Sequence, residues 1–180
     1  MKLLKYFILS SSLILLSVAG YSQCKTIANW AEGREGLNNL CFYPTTLRMI
    51  NISKDESFNK MVKDIDKLKI VISNNKKPLK KEELTTLKNG IKSENYNDLI
   101  QFRRGNESFF VYVKEKHEKP VGFAGIISSD SSLVLIDLDG YISPEIIQQL
   151  IEGKLNVGAI TKIYDITQLG ENKKQNPPKK

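Results

Sequence analysis

ESFFVYVKEKHEKPVGFAGIISSDSSLVLIDLDG, Glu107 to Gly140, is the stretch whose reading decides the fold. Three apolar runs rich in Val, Ile and Phe are separated by two polar breaks, Glu115–Lys119 and Ser128–Ser132. Runs of this length bounded by turn residues read as strands, and breaks this short suit hairpins. The expectation is a three-stranded antiparallel meander. Its alternation is imperfect: Phe109, Val111 and Val113 oppose Phe110, Tyr112 and Lys114, while Leu133 and Leu135 oppose Val134, Ile136 and Leu138. Apolar residues on both sides mean that both faces of the sheet are at least partly covered. Gly122 and Gly125 mark a bulge or a close backbone approach in the middle strand.

Upstream, Gly105-Asn106 is a tight turn preceded by a strand, Tyr96 to Arg104, with Ile100 and Phe102 on one side and Leu99 and Gln101 on the other. Pro78 opens a helix whose apolar stripe is Leu84, Leu87 and Ile91, and Asn89-Gly90 marks its weak end. Lys67 to Ser73 alternates as a half-buried strand. Before it, Ser53 and Glu56 form a capping-box pair, and Phe58, Met61, Val62 and Ile65 follow at helical spacing. Pro44 begins a short helix after the strand-like run Leu40 to Tyr43, and Lys25 to Asn39 reads as irregular. Downstream, Ser143-Pro144-Glu145 starts a helix with Ile146, Ile147, Leu150 and Ile151 on one face. Leu155–Ile166 reads as a last short strand or an extended packed segment.

The whole reads as α+β: a mainly antiparallel sheet of five to six strands ending in the meander, with three to four helices packed mostly on one face. Phe58, Ile65, Ile70, Val111, Ile136 and Ile147 are expected in the core. The expected layout is a signal peptide at 1–22, an irregular lead-in at 23–36, one domain at 37–166 and a basic disordered tail at 167–180.

The signal peptide is read from two lysines, an apolar run of about 15 residues and a small-residue end. Cleavage after Gly20 or Ser22 fits, and a retained anchor is the alternative. Lipid modification of Cys24 is a third option, against which stands Gln23 in place of the small residue such signals carry. Cys24 and Cys41, the two cysteines of the chain, are a candidate disulfide in an oxidising compartment. The alternative makes Cys41 a buried strand residue and Cys24 a free thiol. No Cys/His spacing suits zinc.

The formal charge of +7 in 180 residues is partly local to the two ends, and elsewhere cations alternate with Asp and Glu. That is not the concentrated, aromatic-interleaved footprint of a nucleic-acid binder. Asp137 and Asp139 share a strand face near Asp130, but DLDGYISPE lacks the ligand order of a calcium loop, and the reading is a solvated strand end. His117 sits in a charged hairpin tip, a poor place for a general base. The Lys76–Lys81 cluster and Arg103-Arg104 read as solvated faces. No catalytic, cofactor or metal constellation stands out, and the chain is read as non-enzymatic.

FYPTTLRMINI, DESFNKMVKDIDKLKIVI, FVYVKEKHEKPVGFAGII and LVLIDLDGYISPEIIQQL, within Leu37 to Gly153, resemble a family of short secreted Bacteroidota proteins described as domain of unknown function 4252. The resemblance implies an envelope protein with no assigned activity and no catalytic residues to carry over. The expected function is an exported protein of the periplasm or cell envelope that binds another envelope protein or a second copy of itself. Phe110, Tyr112, Leu133 and Leu135 are the expected binding face. The alternative is a binder of a small apolar ligand. Membrane contact is expected only through a lipidated Cys24 or a retained leader.

Overall fold

The structure is a computed structural model that describes residues 23–50, 54, 56–73 and 79–145. The elements run α1 (Lys25–Ala31), β1 (Leu37–Phe42), α2 (Pro44–Ile50), α3 (Glu56–Val62), β2 (Ile65–Ser73), α4 (Lys81–Ser93), β3 (Tyr96–Arg104), β4 (Glu107–Lys116), β5 (Lys119–Ser128) and β6 (Leu133–Gly140). The expected α+β class with an antiparallel sheet is what forms. The expected leader, Ser53, Pro78, the residues from Ile146 onward expected to be helical, Ile147 among them, Leu155–Ile166 and the expected basic tail lie outside the described residues.

Six strands form one sheet in the order β1-β2-β6-β5-β4-β3, antiparallel at every pairing. Helix α4 carries the chain from β2 to the far edge. The meander β3–β6 then walks back until β6 meets β2, with Ile70 opposite Ile136 and Val71 opposite Leu135. This last pairing closes the sheet and makes β6 a central strand, apolar on both faces.

The helices are divided between the faces rather than gathered on one. On the first face α1 and α4 bury Ile27, Ala31, Leu87 and Ile91 against Val71, Tyr96, Tyr112, Ala124, Ile126 and Leu135. On the second, Leu47 of α2 and Phe58, Met61 and Val62 of α3 pack on Ile65, Val113, Phe123 and Leu138. Each such side chain contributes about 1.5–3 kcal/mol when fully buried. The second pair of helices is short, seven residues each, and covers one part of its face.

Two departures have clear causes. Lys25–Ala31, expected to be irregular, is helical. Asn89-Gly90 does not end α4, which continues to Ser93. Gly90 is where α1 crosses: a Cβ there would lie 2.6 Å from Thr26 Cγ2. The glycine serves close helix packing, not termination.

Candidate functional site

Beside α2 and α3, the second face is open among the described residues. The opening is made by a bulge in β3. Asp98 pairs with Tyr112 and Ile100 with Val111, so Leu99 is an extra residue on its strand. A bulge shifts the alternation by one, which brings Leu99 to the same side as Ile100 and Phe102. Sequence alternation put Leu99 on the opposite side; the structure corrects it. Leu99 and Phe102 are 39% and 48% exposed, and the Phe102 ring stacks on Phe109 with centroids 4.4 Å apart.

The floor is Val111 of β4, Gly125 of β5 and Ile136 of β6, and the far wall is Phe123, Leu138 and Ile142. Gly125 carries no side chain where one would meet Ile136 Cβ at 3.3 Å, and its backbone becomes part of the floor. Val111 and Ile136, expected in the core, are only half-buried because they face this space. The result is a half-open apolar groove of about 550 Å³. That lies within the range of about 300–1,000 Å³ typical of small-ligand pockets. None of its described lining residues is titratable, so they offer shape and apolar contact rather than acid–base chemistry.

The expected binding face is a correction. Phe110, Tyr112, Leu133 and Leu135 are all buried, in the cluster beneath α1 and α4. They lie on the expected strands, but on the covered face; the groove is lined by their neighbours on the other. The missing signal was α1, which completes the cover. The Tyr112 hydroxyl is buried with no hydrogen-bond partner among the described residues, and burial pushes its pKa up to about 12, with the Asp98 charge adding to the rise.

The disulfide is not made: Cys24 and Cys41 are free thiols, with the burial opposite to the alternative reading, Cys24 buried and Cys41 exposed. Cys41 pairs with Lys69, and Lys69 with Asp137. Two strand spacings of about 4.8 Å therefore separate the Cys41 backbone from that of Asp137, over which Cys24 sits. Burial raises the Cys24 thiol to about 12, so it is a neutral core group and no nucleophile.

Cys24 belongs to a polar cluster under α1. Its backbone N–H donates to Asp137 Oδ1 at 3.1 Å. Glu94, just past α4, accepts from Lys25 N at 2.8 Å, from Thr26 N at 2.6 Å and from Thr26 Oγ1 at 2.6 Å. Burial works to raise the Glu94 pKa, but these hydrogen bonds outweigh it and the net shift is downward. Asp137, read as a solvated strand end, is only 4% exposed. Burial lifts it to about 6 against the pull of the Cys24 amide, with Asp139 pushing further upward. Asp130 lies in the β5–β6 turn and accepts from Asn106 Nδ2 at 2.9 Å.

His117 sits at the exposed β4–β5 turn, and both His117 and Glu118 have left-handed backbone, φ 52° and 60°. Arg104 pairs with Glu107 at 3.6 Å, and Arg103 Nε donates to the Gly105 carbonyl at 3.3 Å.

Fold and groove together define an α+β domain whose antiparallel sheet is covered by α1 and α4 on one face and, among the described residues, only partly by α2 and α3 on the other, beside an apolar cleft. The chain belongs to the family described as Domain of unknown function (DUF4252), which it matches over residues 42–150. The match contains β2–β6 and every lining residue of the groove; α1 and nearly all of β1 precede it. No curated protein and no solved structure matches the chain.

Proposed function

We propose that this is an exported, non-enzymatic binding protein of the cell envelope whose groove holds an apolar, chain-like small molecule. The observation that carries the reading is the groove itself: a concave space of about 550 Å³ with an aliphatic and aromatic lining. Filling it removes Leu99, Phe102, Val111 and Ile136 from water at about 25 cal/mol per Å² of apolar surface. Export is supported by the basic start, apolar run and small-residue end of Met1 to Ser22. The experiment is native mass spectrometry of protein taken from its own envelope, followed by solvent extraction. A co-purifying apolar molecule of defined mass is the expected result.

A second reading keeps a protein partner. Leu99 and Phe102 stand exposed on β3, the edge strand beside the groove. An apolar segment laid there would be anchored by the stacked Phe102 and Phe109 rings. Affinity capture from the envelope with wild type and Phe102→Ser separates the two: a co-purifying protein lost in the variant, without any bound small molecule, favours the partner. Ile142 itself lines the groove, so a third occupant to test is the chain's own continuation. A chain ending at Glu145 that takes up apolar probes while the full chain takes none would assign the groove to that continuation.

A further inference from the structure

We propose that the Asp137 carboxylate is a socket for the chain's own N-terminal ammonium, created when the leader is removed just ahead of Gln23 or Cys24. The inference rests on the export reading above. Its structural basis is independent of the groove.

Asp137 lies in the middle of the sheet on the face covered by α1, 4% exposed. Among the described residues it makes no ion pair. The hydrogen bond described for it is with the Cys24 backbone nitrogen, at 3.1 Å. A buried carboxylate held by a neutral amide is poorly compensated, because burial of a charge is costly unless a counter-charge is close. The surrounding groups do not fully supply one. Lys69, directly across from Asp137 on β2, and Lys67 two residues before it attract the charge without forming an ion pair among the described residues, while Asp139 on the same strand opposes ionisation. The Cys24 thiol, Glu94 beyond α4 and the Tyr96 hydroxyl of β3 complete the surroundings.

The backbone that meets Asp137 is held in place from the other side. Glu94 grips Lys25 N, Thr26 N and Thr26 Oγ1 at 2.6–2.8 Å, so residues 24–26 are tied to both α4 and β6. In an unprocessed chain the nitrogen facing Asp137 is a neutral amide. In a chain beginning at Cys24 the same nitrogen is a cation, and in one beginning at Gln23 the cation is a single residue away, about 3.8 Å of chain. A positive charge within about 4–6 Å favours the ionised carboxylate. Leader removal thus supplies the missing counter-charge and locks α1 onto the sheet. The same packing conflicts with lipid attachment at Cys24, whose thiol is fully buried and 3.8 Å from Glu94 Oε1.

The test compares chains that begin at Gln23, begin at Cys24, or carry a short Gly-Ser extension ahead of Gln23, each running to Lys180, by urea unfolding from about pH 5 to about pH 8. The free-amine chains are expected to be more stable than the extended chain near pH 7, with an unfolding constant about tenfold smaller. N-terminal acetylation of the Cys24 chain, which removes the charge without touching the core, should abolish the gain, and so should Asp137→Asn. Equal stability of free, extended and acetylated chains overturns the proposal. So does native protein whose first residue lies upstream of Gln23, is a cyclised, uncharged Gln23, or is a lipidated Cys24. Native protein that keeps its leader defeats the export reading, whereas the recombinant comparison decides separately whether the socket exists.

Discussion

Replacing Glu94 with alanine removes three N–H and O–H hydrogen bonds, and a longer one from the Cys24 thiol, that tie the start of α1 to the end of α4. Two come from backbone N–H groups that no side-chain cap serves at this helix. Hydrogen bonds to a charged group contribute about 1.5–3 kcal/mol each, and Glu94 is half-exposed, which argues for the low end. Two at about 1.5 kcal/mol give a destabilisation of about 3 kcal/mol. At an m value of about 2 kcal/mol/M this lowers the urea midpoint by about 1.5 M. The Glu94 pKa is depressed below its ordinary 4.5 on folding. Its contribution is therefore present above that value and lost as pH falls through the folded pKa. The wild-type and Glu94→Ala midpoints should accordingly converge on acidification, with Glu94→Gln intermediate at neutral pH. Hydrogen exchange in Lys25–Ala31 should accelerate more than in β2 or β6. A midpoint change below about 0.3 M at neutral pH, or a gap that persists unchanged to about pH 3, would refute the assignment of Glu94 as the clamp.

Asp137 titrates with the opposite sign. Its pKa rises on folding to about 6 from 3.8, so its contribution is fully present below about pH 4 and is lost as pH rises through about 6; Asp137→Asn in a chain without a free amine near residue 24 should gain on wild type above that pH, by on the order of 2–3 kcal/mol. Tyr112→Phe removes a buried hydroxyl that lacks a partner among the described residues and should leave stability unchanged or raise it by about 1 kcal/mol, read by thermal unfolding. His117→Asn with Glu118→Gly puts turn residues suited to left-handed backbone where φ is 52° and 60°, and should raise stability by about 1 kcal/mol with no change in apolar-probe binding.

The strands were legible because their signals are local. Each strand of the meander, the β3–β4 turn at Gly105-Asn106 and the Lys67 to Ser73 alternation sits within a dozen residues. Helix α1 was not legible, because seven residues with Ile27 and Ala31 as their buried pair make a weak stripe. What holds it is Glu94, 69 positions from Lys25. Missing α1 inverted the choice of open face, since Phe110 and Tyr112 need its cover. The groove depends on the Leu99 bulge, a one-residue shift that strict alternation hides. Gly125 was the one visible pointer to it: a glycine within an apolar strand signals close approach, and here it widens the floor. The buried state of Asp137 could not be read locally either, because β6 becomes central only through its pairing with β2.

Binding of an apolar molecule in the groove between β3 and Ile142 is the proposal on which the functional reading rests. Its most direct measurement is fluorescence titration of the processed chain with a long-chain fluorescent fatty acid, beside Leu99→Asp and Val111→Trp. Leu99 is part-exposed at the rim, so its substitution should weaken binding about tenfold or more while leaving the unfolding midpoint in place. The Val111→Trp side chain should occupy the floor and abolish saturable binding. Saturable one-to-one uptake by wild type, lost in both variants, is the predicted result. No saturable uptake by wild type, or uptake equal in all three chains, would contradict it.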